Sequence, residues 1–122
     1  AYMFSTAAPA AVAAASRAAL KIATTQSHRR ANVQKLAAHL RSELSSRGWE
    51  MAGSESQIVP IVVGEADATM RLAEQLRAEG LFVPGIRPPT VAAGTSRLRI
   101  SVTALHTEQH IERLLGALDR LR

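Results

Sequence analysis

The chain has 122 residues, 47% hydrophobic and 20% charged, enough apolar material for one compact core, and wholesale disorder is excluded. It contains no cysteine, which excludes disulfides and thiolate metal sites and agrees with a reducing, cytoplasmic compartment. The net charge of +5 comes from bases scattered along the sequence, with only Arg29 and Arg30 adjacent and almost no aromatic residues between them, a pattern that argues against a nucleic-acid partner.

Residues 7–23 are dominated by alanine, the best intrinsic helix former, with Pro9 where a first helical turn tolerates it. A helix apolar nearly all round is expected to be buried between layers. It is too short for the roughly 20 apolar residues of a membrane span, and it lacks the charged lead and leucine-rich centre of a signal peptide. Thr24-Thr25-Gln26-Ser27 is expected to end it, with Ser27 as N-cap of a second helix over 28–47. Val33, Leu36, Ala37, Leu40 and Leu44 recur on one face of that helix, and Gly48 stops it.

After a polar connection over 49–55, Ile58 to Val63 reads as a strand, with Pro60 pointing to an edge position or a bulge. A third helix follows over 66–79, carrying Thr69, Leu72, Ala73 and Leu76 on one side and ended by Gly80. Leu81-Phe82-Val83 is expected to be a short strand running into an Arg-Pro-Pro-Thr turn. From Arg97 to Thr103 the chain alternates: Leu98, Ile100 and Val102 face one way, Arg97, Arg99, Ser101 and Thr103 the other. Thr107 is placed to cap a last helix with the stripe Ile111, Leu114, Leu115 and Leu118.

Runs this short, in the order helix, helix, strand, helix, strand, strand, helix, imply an α+β fold: a small, mainly antiparallel sheet with helices packed on one face. The apolar side of the last strand meets those helices. Its arginine side is left for water, a ligand or another domain.

On that side Arg99 could take a carboxylate, since a guanidinium can grip one through two parallel hydrogen bonds and so fix orientation as well as charge. The plain alternative is an exposed strand arginine. Thr90 follows two prolines whose restricted φ angles hold it in place, as a turn residue or as a ligand. Arg87 could brace the same turn or meet an anion, and Arg97 reads as structural. The histidines are not expected to form a metal site: His28 and His39 lack helical i, i+4 spacing, and His106 with His110 has no carboxylate or thiolate company. His106 is better placed to position the turn before the last helix. No glycine-rich phosphate loop or nucleophile elbow is present, so no catalytic residue is assigned.

The run Ile86-Arg87-Pro88-Pro89-Thr90-Val91, with Leu98-Arg99-Ile100 and His106-Thr107, resembles the C-terminal domain of the α-oxoamine synthases, fold-type-I enzymes that depend on pyridoxal 5′-phosphate (PLP). The wording of the proline turn is most similar to the biotin-pathway branch of that family. The resemblance covers essentially all 122 residues but only the last third of such an enzyme. It implies that Arg99 binds an amino-acid α-carboxylate, with Thr90 nearby. It implies further that Tyr2-Met3-Phe4-Ser5-Thr6 belongs to a segment reaching across a homodimer, where Thr6 and Ser5 donate to the cofactor phosphate.

On that basis residues 1–27 form an alanine-rich interdomain helix with a cross-subunit segment, and 28–122 form the C-terminal domain. The large domain with the cofactor-binding lysine is expected to be absent from this chain, since neither Lys21 nor Lys35 has the family's lysine context. The implied reaction is decarboxylative condensation of L-alanine with pimeloyl-CoA or a pimeloyl carrier protein, and the fragment alone is expected to be inactive. Other members of the family, using glycine or serine and other acyl thioesters, stay open as alternatives. So does a free-standing basic interaction module.

Overall fold

The computed structural model describes residues 7–122, so Ser5 and Thr6 lie outside the described residues. Two compact units are present, the first ending at Ala31 and the second spanning Asn32–Arg122. The elements are α1 (Ala10–Thr25), α2 (Ser27–Ser46), β1 (Ile58–Gly64), α3 (Ala66–Ala78), β2 (Gly85–Ile86), β3 (Ser96–Ser101) and α4 (Glu108–Leu121). Their order matches the expected one, with β2 at Gly85–Ile86 in place of the strand expected at Leu81-Phe82-Val83.

In the first unit, α1 buries none of its residues, contrary to the expectation of a helix enclosed between layers. Val12, Leu20 and Ile22 are all exposed. Alanine propensity is enough to form such a helix, but burial needs a second layer, and the described residues of this unit supply none. The helix also runs on through the threonines expected to break it. The hydroxyls of Thr24 and Thr25 donate to the carbonyls of Leu20 and Lys21, at 3.0 and 2.7 Å, so they sit inside the last turn. As a result α2 begins at Ser27 itself, one residue earlier than a Ser27 cap requires, and Gln26 O accepts from Arg29 N at 3.1 Å.

The second unit is built on a three-stranded antiparallel sheet in the order β1-β3-β2. Ile61 pairs with Leu98 and Val59 with Ile100, and all four are at most 6% exposed. These face the helices, whose contributions to the same core include Leu36, Leu40 and Leu44 of α2, Leu72 and Leu76 of α3, and Leu114, Leu115 and Leu118 of α4. Each of those stripes was read from helical spacing. Pro60 lies on the edge strand opposite Arg99, where its missing N–H breaks no ladder bond, and the register shifts between Val62 and Gly64.

Two ion pairs, Lys35–Glu108 at 2.8 Å and Arg47–Asp119 at 3.2 Å, and a His39–Glu112 contact at 3.2 Å between them run along α2, with Arg47 just after it, and α4 in parallel orientation. The segment after α2 does more than connect. Trp49 and Met51 pack against the core, and Glu50 O accepts from Val62 N at 2.8 Å, extending the sheet edge.

The strand expected at Leu81-Phe82-Val83 is not formed. Pairing is confined to Gly85 with Leu98 and Ile86 with Arg97, continued by Arg99 N donating to Pro84 O at 2.9 Å. Val83 is buried, whereas Phe82 turns outward and is 78% exposed. A ladder partner for Ser101 would have to be Phe82, and the chain leaves the sheet there. β3 likewise ends at Ser101, two residues before the end of its alternating pattern.

Candidate functional site

The open face of the sheet is set by the two-residue period of β3. Leu98, Ile100 and Val102 point into the core, so Arg97 and Arg99 must stand on the opposite side, roughly 7 Å apart along the strand. Across from them lie Val62 and Pro60 on β1, and Ile86 on β2 is level with Arg97. This face therefore presents two guanidinium groups among half-buried apolar side chains.

The two arginines differ in freedom. Arg97 is half-buried and its Nε donates to Thr95 O at 3.0 Å, which anchors it within the β2–β3 connection. Arg99 is exposed, and its guanidinium has no hydrogen-bond or ion-pair partner among the described residues. The backbone of Arg99 is held on the β2 side by Pro84, so the base of the side chain is fixed and its fork is free. That arrangement suits capture of a carboxylate: five donors are available and no internal acceptor must be displaced first.

Thr90 lies in the connection between β2 and β3, and its N–H donates to Arg87 O at 3.1 Å, closing the turn around the cis Pro88–Pro89 bond. The turn continues to Thr95, whose hydroxyl donates to Ala92 O at 2.8 Å. Thr90 and Arg87 are both exposed. They sit beyond the Ile86–Arg97 pair, at the Arg97 end of the face, and no hydrogen bond joins Thr90 to Arg99. The structure thus brings Arg97 and Arg99 onto one surface and leaves Thr90 and Arg87 at its margin.

Neither lysine belongs to the strands of this face. Lys21 lies on exposed α1. Lys35 donates to Glu108, and that hydrogen bond, with the attraction of the same carboxylate, raises the lysine pKa and lowers that of Glu108. An amine held as ammonium has no lone pair for attack on a carbonyl, which disfavours Lys35 as an imine-forming residue.

At the start of α4, Thr107 caps the helix as expected, with its side chain accepting from His110 N at 3.4 Å. The sequence reading missed the partner of this cap. His110 Nδ1 accepts from Thr107 N at 3.1 Å, completing a capping box in which histidine replaces the usual Glu or Gln. His106 holds the preceding turn, its Nδ1 accepting from Thr103 N at 3.0 Å.

The family model described as "Aminotransferase class I and II" matches residues 1–118. The chain is 45% identical over 119 residues to the 8-amino-7-oxononanoate synthase of Thioalkalivibrio sulfidiphilus, covering 98% of this chain and 30% of that protein. It is 46% identical over 124 residues to 8-amino-7-oxononanoate synthase 1 of a Polaromonas species, covering 98% of this chain and 31% of that protein. Among solved structures it is similar to a serine palmitoyltransferase variant from S. paucimobilis with bound PLP and myriocin. The TM-score is 0.89 at 27% identity, over 97% of this chain and 30% of that one. The chain thus spans about a third of the length of the proteins it matches.

Proposed function

This chain belongs to the aminotransferase class I and II family, and from that membership we propose that it is the C-terminal part of a PLP-dependent 8-amino-7-oxononanoate synthase. The reaction is condensation of L-alanine with a pimeloyl thioester with loss of CO2, and the setting is a cytoplasmic homodimer. Relatives at 40–46% identity across nearly the whole chain support this branch over others of the family. PLP, when bound, would supply an electron sink for chemistry at the amino-acid Cα. Among the described residues the group that fits this chemistry is a substrate ligand. Ser5 and Thr6, outside those residues, are proposed to meet the cofactor phosphate of the neighbouring subunit.

The observation that carries the reading is Arg99: exposed, fixed at its backbone, unpaired in its guanidinium and set on the face away from the helices. A two-point grip on the α-carboxylate fixes the rotation of the Cα substituents, which decides which bond stands perpendicular to the cofactor plane. Thr90 and Arg87, at the margin, are proposed to border the same substrate, Thr90 toward the amino acid. Arg97, tied to Thr95 O, holds the connection in shape.

The test is Arg99→Lys in the full-length enzyme. The charge is kept and the fork is lost. L-Alanine binding, followed by spectroscopic titration, should weaken by about 1.5–3 kcal/mol, the worth of a charge-assisted hydrogen bond, and turnover should fall with it. Cofactor retention should be unchanged. Wild-type alanine affinity and turnover in this variant would remove Arg99 from the site.

A further inference from the structure

Seven glycines punctuate the chain, and five of them, Gly48, Gly53, Gly64, Gly80 and Gly94, have positive φ angles, so backbone conformation accounts for them. Gly85 and Gly116 do not, and an alanine there meets no strain of that kind. At Gly116 a Cβ would touch only the tip of the Arg120 side chain, 3.5 Å away. At Gly85 it would stand 3.0 Å from Met70 Sδ, 3.2 Å from Thr69 Cγ2 and 3.5 Å from Thr69 O, all on α3. Gly85 is the glycine that packing, rather than backbone, requires.

The two neighbours differ in how far they can yield. Met70 is exposed and its sulfur lies toward the end of a flexible side chain, so it can swing aside. Thr69 cannot. It is fully buried and β-branched, and its Oγ1 donates to Glu65 O at 2.7 Å, which fixes where Cγ2 points. Gly85 pairs with the buried Leu98, so its missing side chain belongs on the core face, toward α3, and Ile86 belongs on the open face level with Arg97. With β2 only two residues long, Gly85 is its seat on the helix layer. Groups of the candidate site stand on either side of that seat. Pro84 O accepts from Arg99 N at 2.9 Å, and Arg87 O accepts from Thr90 N at 3.1 Å.

We propose, resting on Arg99 as the carboxylate ligand, that Gly85 is a positioning residue for the substrate site. Its close seat on Thr69 sets how far β2 stands from α3. A Cβ at this position pushes β2 off α3 and toward the open face by a few tenths of an ångström. The Pro84 carbonyl and the Arg87–Thr90 turn move with it, and the Arg99 backbone is drawn along by its hydrogen bond to Pro84. A misplacement of about 1 Å at a reacting geometry is worth about 100-fold, so one of a few tenths weakens the grip severalfold.

The experiment uses the full-length enzyme with PLP bound and compares Gly85→Ala, Thr69→Ser, the double variant of the two, and Arg99→Lys. Spectroscopic titration gives affinities for L-alanine and for L-alaninol, which keeps the amine and lacks the carboxylate. Circular dichroism and urea midpoints check the fold. Gly85→Ala should lose about three- to tenfold in affinity for L-alanine and keep its affinity for L-alaninol, a split that general loosening of the fold would not give. In the double variant the Thr69 methyl is gone and its hydroxyl kept, so alanine affinity should return to that of Thr69→Ser alone. Loss in Arg99→Lys beside wild-type alanine affinity in Gly85→Ala would overturn this inference and leave the carboxylate reading standing. Wild-type affinity in Arg99→Lys would remove both. Equal losses for the two ligands, a double variant as weak as Gly85→Ala, or a misfolded Gly85→Ala that Thr69→Ser does not repair would each overturn the inference as well.

Discussion

Leu98 and Arg99 are neighbours in the sequence and opposites in the fold, and their alanine variants should separate packing from ligand binding. Leu98 is fully buried, opposite Ile61 and beneath the helices. Leu98→Ala removes apolar volume equal to about three methylenes, a transfer loss of about 2.4 kcal/mol. The central strand of a three-stranded sheet cannot collapse into the gap, so a residual cavity adds to that, for a total of about 2.5–4.5 kcal/mol. Arg99→Ala removes an exposed side chain without internal partners and should change stability by no more than about 0.5 kcal/mol. In urea titrations of this chain, followed by the fluorescence of Trp49, a slope of about 1.5 kcal/mol/M converts the first loss into a midpoint shift of about 2–3 M. The second variant should overlay wild type. A large shift for Arg99→Ala, or a negligible one for Leu98→Ala, would show that β3 presents the other face to the helices and would invert the whole site.

Thr107→Ala removes the hydroxyl that caps α4 and should cost about 1 kcal/mol, read from the same urea midpoint, while Thr107→Ser should restore most of it. The Lys35–Glu108 pair gives a pH signature: Glu108 titrates below its usual value of 4.5 because Lys35 holds the charged form by hydrogen bond and charge. Its contribution is present above that value and is lost as pH falls through the lowered pKa, so wild type and Glu108→Gln should converge in thermal midpoint in acid. Lys35 is raised above 10.5, so its contribution is complete below that pH and disappears as pH rises past the raised value. A gap between the two proteins that is constant across both limits would show that the pair does not form in solution.

Local patterns announced the parts of this fold that local physics controls. The alternation at Leu98–Arg99–Ile100 gave the face of each side chain, because a strand with one buried side admits one register. The helical stripes around Leu36, Leu72 and Leu114 gave the second layer, and Pro60 gave the edge. The failures all turn on partners distant in sequence. Leu81-Phe82-Val83 has the composition of a strand, but pairing requires the edge of β3, and that edge is taken two to four residues later by Gly85 and Ile86. The alanine helix has the composition of a buried element, but burial depends on a second layer that composition alone cannot supply. At the candidate site, the exposure of Arg99 on the side away from the core was legible from its position on β3, while a ligand role came only from the family resemblance. The side chain of His110 in the cap was not, since the capping-box pattern calls for Glu or Gln at that place.

The distribution of charge leaves the arginine-bearing strand and its preceding connection without acidic side chains. All ten acidic residues follow Arg41 in the chain, and the ion pairs they make lie along the helices and at their ends. Glu108 meets Lys35 of α2, Glu112 lies 3.2 Å from His39, Asp119 and Glu43 both meet Arg47 just after α2, and Glu79 meets Arg120. No carboxylate stands on β3 or in the β2–β3 connection, so Arg87, Arg97 and Arg99 share a stretch from Gly80 to Thr107 without an acid. The internal hydrogen bond that Arg97 makes goes to a neutral carbonyl. Within β3 and the β2–β3 connection, then, no acidic side chain competes with an arriving carboxylate for Arg99. Placing an acid there tests that logic directly: Ser101→Asp, two residues along the same face, should weaken binding of the amino acid while leaving the buried side of β3 untouched.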